Sequence, residues 1–257
     1  MKVTVVQTDI AYGKHSENQK HAEDLINKSE ASDLYVLPEM WNTGFITSSC
    51  SFAEKEEESL NNGSLAWMRN TARKRNAAVC GSMAIKTSSD QCVNRLYFAC
   101  PDGTLTHYDK RHLFSPGGEN LLYTSGDERV IVSYKGIRFL LLVCYDLRFP
   151  VWSRFNDDYD AIICVANWPA KRQEVWTTLL RARAMENQCH VIGANRTGDD
   201  DACHYEGGSI IVDPYGKIIA NSGKDEGLMT AELDFGRQER FRTTFAAQND
   251  RDHFYMR

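Results

Sequence analysis

The chain has 257 residues, 42% hydrophobic and 25% charged, with a net charge of −5. That is ample apolar material for a real core, and the acidic balance lacks the basic face by which proteins neutralise nucleic-acid phosphates. No apolar run approaches the roughly 18 residues of a membrane-spanning helix, and the strand-like start Met1-Lys2-Val3-Thr4-Val5-Val6 does not read as an export signal. A cytoplasmic protein without nucleic-acid or membrane partners is expected. No internal repeat or low-complexity stretch divides the chain, so residues 1-257 are expected to form one domain.

In chain order, Val3 to Gln7 reads as a strand and Glu17 to Lys28 as a helix with Ser16 as its N-cap. Asp33 to Leu37 is a short strand closed by Pro38. Leu65 to Asn76 is a helix capped by Ser64, with Leu65, Met68 and Ala72 on its inner face and Arg69, Arg73, Lys74 and Arg75 on a solvated one. Val79 to Ile85 returns as a strand. Val93 to Ala99 and Thr104 to Tyr108 flank Pro101-Asp102-Gly103, a hairpin signal, and Arg129 to Ser133 and Ile137 to Cys144 flank Tyr134-Lys135-Gly136 in the same way.

Beyond Cys144 the pattern predicts a helical turn at Val151 to Phe155, a buried strand from Ala161 to Ala166, a helix from Gln173 to Gln188 and a strand from Val191 to Asn195. A hairpin around Asp213-Pro214-Tyr215-Gly216, a helix from Phe235 to Phe241 and a polar, aromatic-tipped tail complete the chain. Helix-linked strands mixed with hairpins argue for a mixed sheet or two packed sheets. The eight cysteines are expected to be reduced, and Cys80, Cys100, Cys164 and Cys189 sit in apolar runs as small buried hydrophobes.

Chemistry concentrates at predicted strand ends. Phe139-Leu140-Leu141-Leu142-Val143 is a continuous apolar run, as in a strand buried on both faces. Cys144 ends it and is followed at once by Tyr145-Asp146-Leu147-Arg148-Phe149-Pro150. A thiol there is held on a rigid, sharply turned support, and a helix started by Pro150 would favour its thiolate. Such a thiol needs a base. Tyr108-Asp109-Lys110-Arg111-His112-Leu113-Phe114 offers Lys110 and His112 together, and Leu37-Pro38-Glu39 offers a carboxylate straight after a buried strand.

Those three segments, in that order, resemble the Glu–Lys–Cys signature of the nitrilase superfamily of carbon–nitrogen hydrolases. Ala166-Asn167-Trp168-Pro169, Arg181-Ala182-Arg183-Ala184-Met185-Glu186-Asn187 and Asp213-Pro214-Tyr215-Gly216 extend the resemblance over nearly the whole chain. Within the superfamily it is strongest to the omega-amidase branch. The resemblance implies an α/β fold, a four-layer α-β-β-α sandwich with two mixed sheets, assembled as a homodimer. It implies Cys144 as nucleophile, Glu39 as general base and then acid, and Lys110 as stabiliser of the tetrahedral intermediate. Glu119 takes the place of the second glutamate found in such enzymes, and no metal or organic cofactor is called for.

The implied substrate is a small-molecule amide, the terminal amide of a short dicarboxylic acid monoamide such as 2-oxoglutaramate or succinamate. The backbone N–H of Tyr145 would join Lys110 at the oxyanion. Arg148 is the candidate for the distal carboxylate, or else braces the loop after the cysteine. Phe45 and Trp168 would wall the pocket, and Asn167 would orient the amide. Three other readings stay open: a related amidase, N-carbamoyl hydrolase or nitrilase on the same triad, a Cys–His enzyme with His112 as base, and a non-catalytic binding module.

Overall fold

The structure, a computed structural model, describes residues 1–252. The strands are β1 (Lys2–Gln7), β2 (Leu34–Val36), β3 (Glu54–Lys55), β4 (Ala78–Lys86), β5 (Cys92–Ala99), β6 (Leu105–Asp109), β7 (Ile131–Tyr134) and β8 (Ile137–Val143). They continue with β9 (Ala161–Ala166), β10 (His190–Asn195), β11 (Thr197–Asp199), β12 (His204–Glu206), β13 (Ile210–Val212), β14 (Ile218–Asn221) and β15 (Gly227–Glu232). The α-helices are α1 (His15–Asn27), α2 (Glu56–Asn62), α3 (Ser64–Arg75), α4 (Gln173–Asn187) and α5 (Phe235–Thr244).

Two large mixed sheets form, in the orders β15-β1-β2-β4-β5-β6, with β3 also beside β4, and β14-β13-β10-β9-β8-β7. Alternation along each strand decides the layering, since successive side chains point to opposite faces. In the first sheet Val3, Val5, Leu34, Val36, Leu96 and Phe98 share a core with Phe139, Leu141 and Ile163 of the second. Their neighbours Val6, Tyr35, Leu37, Val79 and Tyr97 pack instead with Leu25 and Ile26 of α1 and Leu65, Met68 and Ala72 of α3. Trp176, Leu180 and Ala184 place α4 on the outer face of the second sheet. There a Cβ on Gly193 would lie 2.5 Å from Leu180 Cδ1, so only glycine admits so close a helix. The expected α-β-β-α sandwich is what forms.

Several local expectations need correction. Ser16 and Ser64 lie inside their helices rather than at N-caps, after Lys14 and Gly63 respectively. The Ser64 hydroxyl is taken by the Glu54 carboxylate, so a tertiary partner outcompetes the helix end. Val151 to Phe155 forms turns and irregular chain, and the helical piece after β8 is instead a single 3₁₀ segment, Cys144–Arg148. Cys50 and Cys92, whose Cα atoms are 6.3 Å apart, are joined as a disulfide, so the eight cysteines are not all reduced. The fold carries the 42–53 loop to the start of β5, a proximity absent from the spacing of the two residues. Cys80, Cys100, Cys164 and Cys189 are buried as expected. The aromatic-tipped tail, with Phe254 and Tyr255, lies outside the described residues. Among the described residues no helix is long and apolar enough to cross a membrane.

Candidate active site

Glu39, Cys144 and Asn167 each lie just past the carboxyl end of a strand, β2, β8 and β9 respectively. Lys110 follows β6 and brings a fourth group to the same place. The backbone turns sharply where two of them are presented. Met40, directly after Glu39, has φ 42°, and Cys144 itself has φ 45°. Both are left-handed conformations that side chains with a Cβ seldom adopt, held here by the surrounding packing. Met40 N donates to Ser82 Oγ at 3.0 Å. Beyond Cys144 the buried Asp146 carboxylate accepts from Val143 N (2.9 Å), Tyr108 Oη (2.8 Å) and His112 N (2.9 Å), fixing the turn that carries the thiol.

Lys110, Glu39 and Glu119 are buried together, their side chains wholly out of solvent. Lys110 Nζ donates to Glu39 Oε1 at 2.8 Å and to Glu119 Oε2 at 2.8 Å, with Glu119 Oε1 at 3.1 Å. Asn167 N donates to Glu39 Oε2 at 2.9 Å, and Asn167 Nδ2 to the Glu39 carbonyl at 2.8 Å. Phe114 N donates to Glu119 Oε2 at 2.6 Å. Burial by itself would strip the Lys110 proton, but Glu119 and Glu39 more than offset it and hold the ammonium well above the usual lysine range. Burial pushes the Glu119 carboxyl up, with Glu39 adding to the push and Lys110 opposing it.

Burial and the Glu39 carboxylate likewise push the Cys144 thiol well above the ordinary cysteine range, with Lys110 pulling the other way. This corrects the expectation of a helix-stabilised thiolate, since only a 3₁₀ segment follows. The thiol lies 4.0 Å from the Asn167 carbonyl oxygen, and a thiol kept neutral in this way is not a standing thiolate. Buried ion pairs seldom add net stability, because desolvating the partners costs about as much as their attraction returns. A cage of two carboxylates around one ammonium is therefore better explained by chemistry than by folding.

A cavity of about 210 Å³ opens onto this cage and is lined by Glu39, Lys110, Cys144 and Asn167, with Phe45, Phe114, Tyr145 and Trp168 as aromatic walls. Lys110 Nζ lies 5.5 Å from the Phe45 ring centre. Asn167 Oδ1 is buried without a hydrogen-bond partner and is free to accept an N–H from a bound molecule. Arg148 and Arg172 also line the cavity, stacked over Trp168 at 5.1 Å and Phe114 at 5.4 Å. Neither guanidinium has a hydrogen-bonding or ionic partner among the described residues, whereas the other charged groups of the inner site are all paired.

The structure thus brings together Glu39, Lys110, Cys144, Phe45, Tyr145, Arg148, Asn167 and Trp168, with Glu119 behind Lys110. His112 does not join them. Its ring is stacked on Phe149 at 3.8 Å, its Nδ1 faces Asp146 at 2.8 Å, and it does not line the cavity. That arrangement removes the Cys–His reading. Sequence reasoning missed Asn94, Asp146, Arg172 and the β11–β12 hairpin, whose Asp200, Asp201 and Cys203 also line the cavity. Asn94 left one trace, a lone amide inside the apolar run Val93 to Ala99.

Comparison with known proteins agrees with this geometry. Residues 2–243 match the carbon-nitrogen hydrolase family. The chain is 42% identical to omega-amidase YafV of Yersinia enterocolitica, over 100% of this chain and 98% of that protein. It is 36% identical to a 2-oxoglutaramate amidase of Bacillus subtilis strain 168, over 96% of each. A Xanthomonas campestris CN-hydrolase superfamily protein, XC1258, solved with an arsenic adduct in its active site, superimposes with a TM-score of 0.94 at 36% identity, covering 100% of this chain and 99% of that one.

Proposed function

The chain belongs to the carbon-nitrogen hydrolase family, in the nitrilase superfamily, and from that membership we propose that it is an omega-amidase, releasing ammonia from the terminal amide of a small dicarboxylic acid monoamide. The observation that carries this reading is the cavity itself. A buried Glu39–Lys110–Glu119 cage and Cys144 lie along one small aromatic-walled space that also presents two unpartnered guanidinium groups. The names of the relatives, omega-amidase and 2-oxoglutaramate amidase, point the same way.

In this reading Glu39 takes the Cys144 proton as sulfur attacks the amide carbon. Lys110, with the backbone N–H of Tyr145, stabilises the oxyanion. Glu39 then passes the proton to the departing nitrogen, the C–N bond breaks, and a thioester remains on Cys144. Glu39 next removes a proton from water, hydroxide adds to the thioester carbon, the C–S bond breaks and the proton returns to sulfur. The cage, Cys144 and the reactants together keep the same total charge throughout, because each proton only moves among Cys144, Glu39 and the reactants. That matters in a buried site, where a change in net charge is poorly screened.

The distal carboxylate of the substrate would be met by Arg148 and Arg172, and the amide by Asn167 Oδ1. We further propose that residues 1–257 form a single catalytic domain acting in the cytoplasm as a homodimer, for which light scattering should report twice the chain mass. The substrate reading is tested by kcat/KM over a panel of 2-oxoglutaramate, succinamate, simple aliphatic amides, N-carbamoyl compounds and nitriles. Monoamides of dicarboxylic acids should lead by about 10²-fold, as a buried charge-assisted contact warrants. Parity with nitriles or simple amides would overturn it.

A further inference from the structure

Asn94 sits in β5, fully buried, opposite Ala84 of β4. Its backbone carbonyl accepts from Lys110 N at 3.0 Å. Its side-chain nitrogen donates to Glu39 Oε1 at 2.8 Å and to Glu119 Oε1 at 3.0 Å. These are the two oxygens that Lys110 Nζ also contacts, at 2.8 and 3.1 Å. Two nitrogens and two oxygens therefore close a four-membered ring of hydrogen bonds, with the carboxylates on one diagonal and the donors on the other. Asn94 Oδ1 is buried and has no partner. The amide is thus set by its donors alone, because turning it over would aim a carbonyl oxygen at two carboxylates.

We propose that Asn94 is a positioning residue for the proposed hydrolysis, the neutral half of a clamp that holds the Glu39 and Glu119 carboxyl groups side by side. One ammonium cannot neutralise two carboxylates in a dry cage, and repulsion between them would drive one to bind a proton or swing away. Each hydrogen of the Asn94 amide answers one of the carboxylates without adding charge. Lys110 Nζ meets three carboxylate oxygens, two of them on Glu119, so one hydrogen shared between that pair leaves another for the oxyanion. Both Glu39 oxygens are thereby fixed, Oε1 by Lys110 and Asn94 and Oε2 by Asn167 N, at the wall of the cavity that also holds the Cys144 thiol.

The groups facing the clamp are Glu39, Glu119, Lys110, Cys144 and Tyr123, the last a phenol pushed up mainly by burial and by Glu119. Since Asn94 donates only to carboxylates, its loss stabilises their protonated forms, and the acid limb of the reaction must move to higher pH.

The test uses Asn94→Leu, which keeps the volume and removes both donors, and Asn94→Ser, which keeps one. The first readout is the pH dependence of Cys144 alkylation by iodoacetamide, followed by peptide mass. It needs no substrate, so it stands whether or not the omega-amidase assignment does. Cys203, which lines the same cavity without a hydrogen bond to either carboxylate, is the internal reference. In Asn94→Leu the acid limb at Cys144 should rise by about one pH unit, the size expected for losing a hydrogen bond to a charged group. Asn94→Ser should shift by less. The second readout is turnover of the best amide, with kcat falling about 10²-fold and KM changing less than about 3-fold. A limb that stays in place in both variants, with only thermal stability or the fraction of reactive protein reduced, would overturn the proposal. Should Asn94→Leu fail to fold, the serine variant decides by the same limb.

Discussion

At the inner end of the cavity Lys110, Glu39 and Glu119 answer one another's charge with hydrogen bonds of 2.8 to 3.1 Å, and Asn94 and Asn167 supply the donors still needed. Towards solvent Arg148 and Arg172 lie over aromatic rings without a hydrogen-bonding or ionic partner among the described residues, on a cavity wall that also carries Asp200 and Asp201. In the proposed function the first region is complete within the protein and the second is left for the substrate. A closed polar network fixes the chemistry, because any displaced member leaves a buried group unpaired. Under the proposed function an open pair of guanidiniums would set which molecule is accepted, because their attraction would be realised only when a carboxylate arrives. The two regions should therefore fail in different ways when altered.

Cutting into the inner network should cost most. Cys144→Ala is expected to lower kcat by about 10⁶-fold and Glu39→Gln by about 10⁴-fold, with KM little changed, as for catalytic groups that act as one unit. Measurable turnover by Cys144→Ala at even a hundredth of the parent rate would break the division drawn here. At the rim the pattern should reverse. Arg172→Ala should raise KM for dicarboxylic monoamides by about 10- to 100-fold while leaving simple amides within about 3-fold, the range for a charge-assisted bond to a carboxylate. Equal losses on both substrate types would mean that Arg172 braces the loop instead of reading the substrate.

The smallest effect on turnover is expected from a third charged cluster. Glu54 is hydrogen-bonded by His15, Ser59 and Ser64. Burial would raise its carboxyl, but those donors prevail and hold it at about 2, against an ordinary 4.5. A carboxyl depressed in the folded state contributes stability above its unfolded pKa and loses it as pH falls towards the folded value. The window is therefore about pH 4.5 down to 2, worth on the order of 3 kcal/mol. Glu54→Gln should flatten the acid loss of stability across that window, seen in urea titrations at several pH values, with kcat/KM at neutral pH within about 2-fold of the parent. A large loss of turnover would show that this cluster is coupled to the cavity.

Much of the site was legible because its chemistry sits where strands end. Glu39 and Cys144 each follow a continuous apolar run, and Lys110 follows the second strand of a hairpin, so all three fall at strand ends. Asn167, Arg148 and Trp168 came with the segments around them. Asn94 was hidden inside a strand, where one amide looks like a small interruption of a hydrophobic run. Arg172 was hidden by its position before a helix, where a charged residue needs no explanation. The β11–β12 hairpin was missed because Thr197 to Glu206 is short and polar, and its pairing is decided by what it packs against.

The sequence by itself determined the strand and helix periodicity, the order of the three reactive residues and the apolar faces that force two sheets to stack. These are local properties, fixed by spacing along the chain. Only the tertiary structure decided that Glu39 meets Lys110, that His112 is spent on Asp146, that Cys50 reaches Cys92, and that one asparagine ties two carboxylates together. Each of those depends on residues dozens of positions apart arriving within about 3 to 6 Å of one another, as hydrogen bonds and side-chain packing require. Packing of the two sheets brings them there, and no pattern along the chain records it.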